Sequence, residues 1–287
     1  MRRTALFIPG NSPNMIINGG VFGSDSLILD LEDGVSVNQK DSARYLVREA
    51  LKTLDFGTCE RIIRINGMHT PFWEQDLEAV IPIKPEAIMI TKAGCAEDIH
   101  KIEEAISQIE MRSGIPQGSI QIAPLIETAS GIENAYQIAV SSARVKALYL
   151  GAEDLTADLR CERTKKGREI FYARQKIVYS ARAAGREVYD TPFADLDDTK
   201  GLEEDTRTAK NLGFTGKMAV SPRQIACINH IFYPSEEEIA YARAVYEAAR
   251  LAEQQGKGVV ALDGKMIDAP IVLRACQVLQ ETGGRER

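Results

Sequence analysis

Long apolar runs are missing from this sequence. The longest, such as Ala5–Pro9, are strand-sized, far short of the roughly 20 residues that cross a bilayer. No membrane span is therefore expected. The basic start, Met1-Arg2-Arg3-Thr4, is followed by an apolar stretch that ends at Pro9-Gly10, too short for a secretory signal. Paired cysteines are missing as well. Cys59, Cys95, Cys161, Cys227 and Cys276 are odd in number, scattered and never in a CxxC pair. That pattern suits reduced thiols in a cytoplasmic protein and argues against a cysteine zinc site. His69, His100 and His230 fit no HExxH or triad spacing, and the glycines around Gly256 and Gly258 form no dinucleotide or phosphate-loop fingerprint. Positive charge is in deficit, 35 Lys and Arg against 41 Asp and Glu, which argues against a general nucleic-acid binder.

What is present is ordinary globular material. With 44% hydrophobic and 26% charged residues over 287 positions, the chain has enough apolar surface for a core without staples. Eight short β-rich runs recur: Thr4–Ile8, Ser26–Leu31, Arg61–Ile65, Ala87–Ile90, Ile120–Ile126, Val145–Leu150, Glu187–Tyr189 and Lys217–Val220. Each interval is long enough for a helix and two loops. In Glu97–Glu110, Ile99, Ile102, Ile106 and Ile109 fall at helical spacing, and Asn134–Ala143 and Ala173–Ala184 read the same way. Eight strands alternating with helices imply right-handed parallel crossovers closing into an α/β fold, a TIM (β/α)8 barrel, over residues 1–234. Residues 235–287 are too few for an independent domain. Ser235-Glu236-Glu237-Glu238 opens a helix to about Gln255 with Gly256 as its terminator, Gly258–Gly264 suggests a hairpin, and Met266–Glu281 a last helix. This C-terminal helical appendage is expected to pack on the barrel or on a neighbouring subunit.

Active sites of such barrels lie at the C-terminal ends of the strands. Those ends carry Pro9-Gly10-Asn11, Asp30-Leu31-Glu32-Asp33-Gly34, Arg64 with Asn66, Lys92, Glu127-Thr128 and Gly151-Ala152-Glu153-Asp154. Glu127 and Asp154, on neighbouring strands, suit one hard cation, because magnesium takes one or two carboxylates, substrate oxygens and waters. Asp30, Glu32 and Asp33 are placed to hold its waters. Arg64 offers a planar fork for a carboxylate or a developing oxyanion. Taken singly, Glu127 also suits a helix N-terminus, Asp154 an N-cap and Arg64 a paired strand end; as a set they favour a site. Trp73 and Phe72 follow strand three, where helix packing is the simpler role.

The segments Arg3–Asn11, Leu29–Val35, Arg64–Asn66, Ile126–Ala129, Gly151–Asp154, Phe214–Lys217, Ser221–Ile225 and Asp263–Pro270 together resemble the citrate lyase beta subunit family in order and spacing. The wider group includes malyl-CoA and citramalyl-CoA lyases. The resemblance implies a magnesium-dependent TIM-barrel lyase that cleaves a carbon–carbon bond of a 3-hydroxy acyl thioester, here a citryl thioester giving oxaloacetate and an acetyl thioester. It implies Glu127 and Asp154 as direct Mg2+ ligands and Arg64 as a catalytic and substrate-binding residue. It also implies Asp268 as a catalytic aspartate that reaches an adjacent subunit's site, although Asp268 also suits an N-cap ahead of Pro270. Gly10, Asn11, Ala152, Glu153 and Ser221 are expected to bind substrate. The implied partners are an acyl carrier protein and transferase subunits of a citrate lyase complex, and the implied assembly is a homotrimer or a multiple of it.

Coenzyme-A-using relatives tend to carry lysines after strand one, whereas Asn11–Asn18 here has no positive charge. This leans toward a carrier-bound substrate. Arg160, Arg163, Lys165, Lys166 and Arg168 crowd one segment after strand six, which is expected to meet an acidic carrier or its phosphates. Stand-alone cleavage of citramalyl-CoA or malyl-CoA is the alternative reading, and a structural subunit of a lyase complex a third.

Overall fold

The computed structural model describes residues 2–254, 260–262 and 264–282. These fall into two compact units, Arg2–Phe232 and a second beginning at Tyr233. In the first, strands and helices run β1 (Thr4–Pro9), α1 (Pro13–Ile17), β2 (Ser26–Asp30), α2 (Lys40–Thr53), β3 (Glu60–Arg64), α3 (Trp73–Val80), β4 (Ala87–Ile90), α4 (Ala96–Arg112) and β5 (Gln121–Ile126). They continue α5 (Ala129–Glu133), α6 (Ala135–Val140), β6 (Ala147–Leu150), α7 (Ala152–Asp158), α8 (Phe171–Ala183), β7 (Glu187–Asp190), α9 (Thr199–Leu212), β8 (Gly216–Ala219) and α10 (Pro222–Phe232). The eight strands are parallel and closed, β1 pairing with β2 on one side and β8 on the other. All eight expected strands are present. The sixth starts later than Val145, which makes only a single bridge to Ile122.

Strand periodicity sorts the side chains into two cores. Leu6, Ile8, Leu27, Leu29, Ile63, Ile88 and Leu148 point outward into the layer under the helices. Ala5, Ile28, Ile62, Met89, Ala123, Tyr149, Tyr189 and Met218 fill the barrel interior. The Tyr149 and Tyr189 rings stack at 4.7 Å. Below them Arg2 pairs with Glu60 and Glu187 and closes the N-terminal end. The same alternation carries Pro9, Asp30, Arg64, Glu127, Gly151, Thr191 and Val220 to the opposite, open end, where all seven line one cavity.

Between β7, β8, α8 and α9 lie four buried charges that sum to zero. Lys217 Nζ donates to Asp190 Oδ2 at 2.7 Å, to Asp205 Oδ2 at 2.6 Å and to the Thr191 carbonyl at 2.7 Å. Arg174 bonds to both aspartates.

The second unit contains α11 (Glu236–Gln254), β9 (Val260–Leu262), β10 (Lys265–Ile267) and α12 (Ala269–Thr282). Ser235 and Glu238 cap α11 reciprocally, side chain to backbone N–H in both directions. Its proposed terminator Gly256 lies outside the described residues. The last helix begins at Ala269 rather than Met266, because Met266 pairs with Ala261 in the β9–β10 hairpin and Pro270 tolerates only a first helical turn. Val245, Ala242, Ile267 and Ala275 form a small separate core. Among the described residues, no helix is long and apolar enough to cross a membrane.

Candidate active site

The cavity at the C-terminal ends of the strands measures about 300 Å³. Asp30, Arg64, Glu127, Ala152, Glu153 and Asp154 all line it, with Phe7, Gly34, Thr191 and Pro192 among the other walls.

Arg64, the last residue of β3, is gripped from the neighbouring strand. Its Nε donates to Asp30 Oδ1 at 2.7 Å and its Nη2 to Oδ2 at 2.6 Å, while Nη1 lies 3.0 Å from Glu32 Oε2. The guanidinium also sits over the Phe7 ring at 4.9 Å. Burial opposes its charge, but the bonds and charge of Asp30 more than offset that, and the net effect raises its pKa. Asp30 thereby takes two of the five N–H donors and Glu32 steadies Nη1 by charge, and the remaining donors can meet a substrate oxygen. Asp30 also accepts the Glu32 and Gly34 N–H groups, and buried Lys40 donates to the Leu31 and Glu32 carbonyls, so the loop behind the arginine is pinned. Burial raises the Glu32 carboxyl above its ordinary range even with Arg64 alongside.

Glu127 leaves β5 with only 3% of its surface exposed. Burial first, then the charge of Asp154, push its carboxyl up to about 8, against a bond accepted from the Lys92 backbone N–H at 2.8 Å. A Cβ at Gly151 would fall 2.5 Å from Glu127 Oε2, so only glycine there leaves this carboxylate its place. Asp154 stands in the first turn of α7, its Oδ1 3.4 Å from Lys92 Nζ. A desolvated carboxylate beside a second one, in a cradle kept open by glycine, is an all-oxygen donor pair of the kind a hard divalent cation takes. No ready-made group of three His, Cys, Asp or Glu ligands occurs among the described residues. Magnesium held by one or two carboxylates needs none.

Other expected residues stand elsewhere. Gly10 abuts the β2 backbone, its N–H donating to the Asp30 carbonyl at 2.7 Å. Asn11 donates to Gln39, Asp33 is exposed, and Ser221 accepts the Arg223 N–H. Asn66 turns to Asp76 of α3. Trp73 is buried at the start of α3, and neither it nor Phe72 lines the cavity. Asp268 caps α12, its carboxylate accepting the Ile271 N–H at 3.3 Å. The sequence pattern does not single out Thr191 or Phe7, although Phe7 is an inward position of β1 and Thr191 continues the inward alternation just past β7.

A closed parallel barrel with a buried glutamate beside a half-exposed aspartate and a clamped arginine at the C-terminal ends of its strands has the layout of a barrel enzyme. Residues 3–222 match the model of the HpcH/HpaI aldolase/citrate lyase family, and the chain belongs to that family of lyases. It is 43% identical to the citrate lyase subunit beta of Leuconostoc mesenteroides subsp. cremoris, covering 98% of this chain and 93% of that protein. It is 32% identical to the mitochondrial citramalyl-CoA lyase of Rattus norvegicus, covering 97% and 85%. The crystal structure of CitE from Mycobacterium tuberculosis in complex with magnesium, acetoacetate and coenzyme A superposes with a TM-score of 0.81 at 31% identity, covering 98% of each chain.

Proposed function

We propose that this chain is a magnesium-dependent lyase that cleaves a citryl thioester, carried on an acyl carrier protein, to oxaloacetate and an acetyl thioester. The observation that supports it most is the pairing of buried Glu127 with Asp154 in the cavity that Arg64 also faces. The 43% identity to a citrate lyase subunit beta favours citryl as the acyl group.

In this reading Glu127 and Asp154 hold Mg2+. Bound there, magnesium supplies Lewis acidity that lowers the pKa of the substrate's tertiary hydroxyl and favours the new ketone. Arg64, immobilised by Asp30 and Glu32, directs its remaining N–H donors at the thioester oxygen, where negative charge gathers as the bond breaks. Of the three acidic residues expected to hold waters around the cation, Asp30 gives its acceptor positions to Arg64 and to the Glu32 and Gly34 N–H groups and acts by fixing Arg64. Glu32 and Asp33 keep oxygens for water. Ala152 and Glu153, which line the cavity, contribute to the substrate pocket, whereas Gly10, Asn11 and Ser221 are not among its lining residues. Asp268, delivered by a neighbouring copy in a homotrimer or a multiple of it, gives a proton to the departing methylene carbon to make the acetyl group. The hydroxyl proton passes to water and Asp268 takes a proton back from water after the step, so the protons balance. The barrel spans 1–234 and the appendage, 235–287, packs on the neighbour. The setting is a cytoplasmic complex with the carrier protein and transferase subunits.

The basic segment supports a carrier. Lys165 is committed to Asp195 and Asp198, and Arg163 to Glu169 and Glu153, whereas Lys166 and Arg168 are exposed and are the charges offered to a carrier. Reversing Lys166 and Arg168 to Glu is expected to raise the apparent KM for carrier-bound substrate about ten-fold while leaving a coenzyme A thioester unaffected, since surface charges act mainly on encounter. An unchanged KM for the carrier-bound form contradicts that docking role. The relative acting on citramalyl-CoA favours one alternative, a stand-alone citramalyl-CoA or malyl-CoA lyase. Faster turnover of those substrates than of the carrier-bound citryl thioester by the purified chain would select it.

A further inference from the structure

Helix α7 begins under an unusual constraint. The first N–H groups of a helix need acceptors, and the common solution is a Ser, Thr, Asp or Asn at the N-cap. The N-cap of α7 is Gly151, which has no side chain to offer. No other residue fits that position, because a Cβ there would collide with the Glu127 carboxylate at 2.5 Å. The geometry that makes room for Glu127 therefore removes the ordinary cap from the helix that carries Asp154.

The first N–H of this uncapped helix is instead held from the next strand. Thr191, just past β7 and 1% exposed, accepts the Ala152 N–H through Oγ1 at 3.1 Å. Thr191 is itself fixed from behind. Its carbonyl accepts from Lys217 Nζ at 2.7 Å, and Lys217 is locked between Asp190 and Asp205 in the buried charge group that Arg174 completes. An unbroken line of buried bonds thus runs from the strand–helix layer through Thr191 to the first turn of α7, where Asp154 stands two residues beyond Ala152.

We propose that Thr191 is a positioning residue for Asp154: its hydroxyl, anchored through Lys217, holds the first N–H of a helix whose N-cap has no side chain and sets the angle at which Asp154 meets Glu127. The inference rests on the reading of Asp154 as a cation ligand. Outer contacts of this kind typically control metal affinity by ten-fold or more when removed.

The test uses the full chain and manganese or magnesium alone, titrated by calorimetry without substrate. Thr191→Val keeps the shape and removes the acceptor; Thr191→Ser restores it. The valine variant is expected to bind the cation at least about ten-fold more weakly, the serine variant within about three-fold of the parent, and Asp154→Asn not measurably. A role confined to stability would lower the melting temperature of the metal-free valine variant and leave its cation affinity unchanged. Parent-like affinity in Thr191→Val, with binding lost in Asp154→Asn, overturns the positioning role alone. Parent-like affinity in Asp154→Asn overturns the reading of Asp154 on which it rests. If the valine variant is poorly folded, Thr191→Ala against Thr191→Ser makes the same comparison.

Discussion

Glu127→Gln is expected to abolish magnesium binding and to lower kcat/KM for thioester cleavage by about a thousand-fold or more. The size follows from what the cation contributes: several kcal/mol of stabilisation for charge forming on oxygen corresponds to about three orders of magnitude in rate. Glutamine keeps the volume and leaves one oxygen, so the cradle against Gly151 survives while the charge does not. The substitution also removes a pH dependence. In the metal-free protein the Glu127 carboxyl titrates near 8, above its ordinary value of 4.5, chiefly through burial and then the charge of Asp154. The folded chain therefore keeps a proton that the unfolded chain releases, and the resulting stability is present at low pH and lost as pH rises through about 8. A cation must displace that proton. Magnesium affinity of the parent should consequently climb from about pH 6 to about pH 8 and flatten beyond. At about pH 9 the metal-free Gln variant should melt several degrees above the metal-free parent. Retained magnesium binding in the variant, or an affinity flat across that range, would contradict Glu127 as a ligand.

The second large effect is expected at Asp268. Asp268→Asn should cost about 100- to 10,000-fold in turnover, the range of a lost general acid, with magnesium affinity unchanged. Delivery from a neighbouring copy makes a sharper claim. When the inactive Glu127→Gln and Asp268→Asn chains are mixed during assembly, about a quarter of sites should draw an intact Glu127 from one copy and an intact Asp268 from another. Activity should then recover to about that fraction of the parent. Mixtures as inactive as either variant would place Asp268 in its own chain's site, or leave it only the capping of α12.

Why some of this was legible and some not has a physical basis. The barrel was readable because each strand is a short apolar run and each interval admits a helix; with inward and outward faces alternating, the top layer of side chains follows almost by counting. Asp30, Arg64 and Glu127 are found that way. Partners were harder. Asp30 and Glu32 stand at the right strand end, but their grip on Arg64 depends on the register of β2 against β3, Asp30 opposite Arg64, which no single-strand pattern encodes. Thr191 escapes a single-strand pattern because its partner, Ala152, lies 39 residues earlier and meets it through the pairing of β6 with β7. A usable signal existed in Lys217, a lysine inside an otherwise apolar strand, which must find buried anions to be tolerated. Gly10 read as a site residue because it sits in a strand-end motif; its place is set by close approach to the β2 backbone. The hairpin displaced the start of the last helix because pairing of Met266 with Ala261 is a cross-strand event invisible to helical periodicity.

The most direct test of the whole account is oxaloacetate release by the purified chain from a citryl thioester of the acyl carrier protein. The account predicts steady turnover with magnesium, arrest on adding a chelator and recovery when magnesium is restored. Absence of oxaloacetate under those conditions, or turnover indifferent to the chelator, would contradict it.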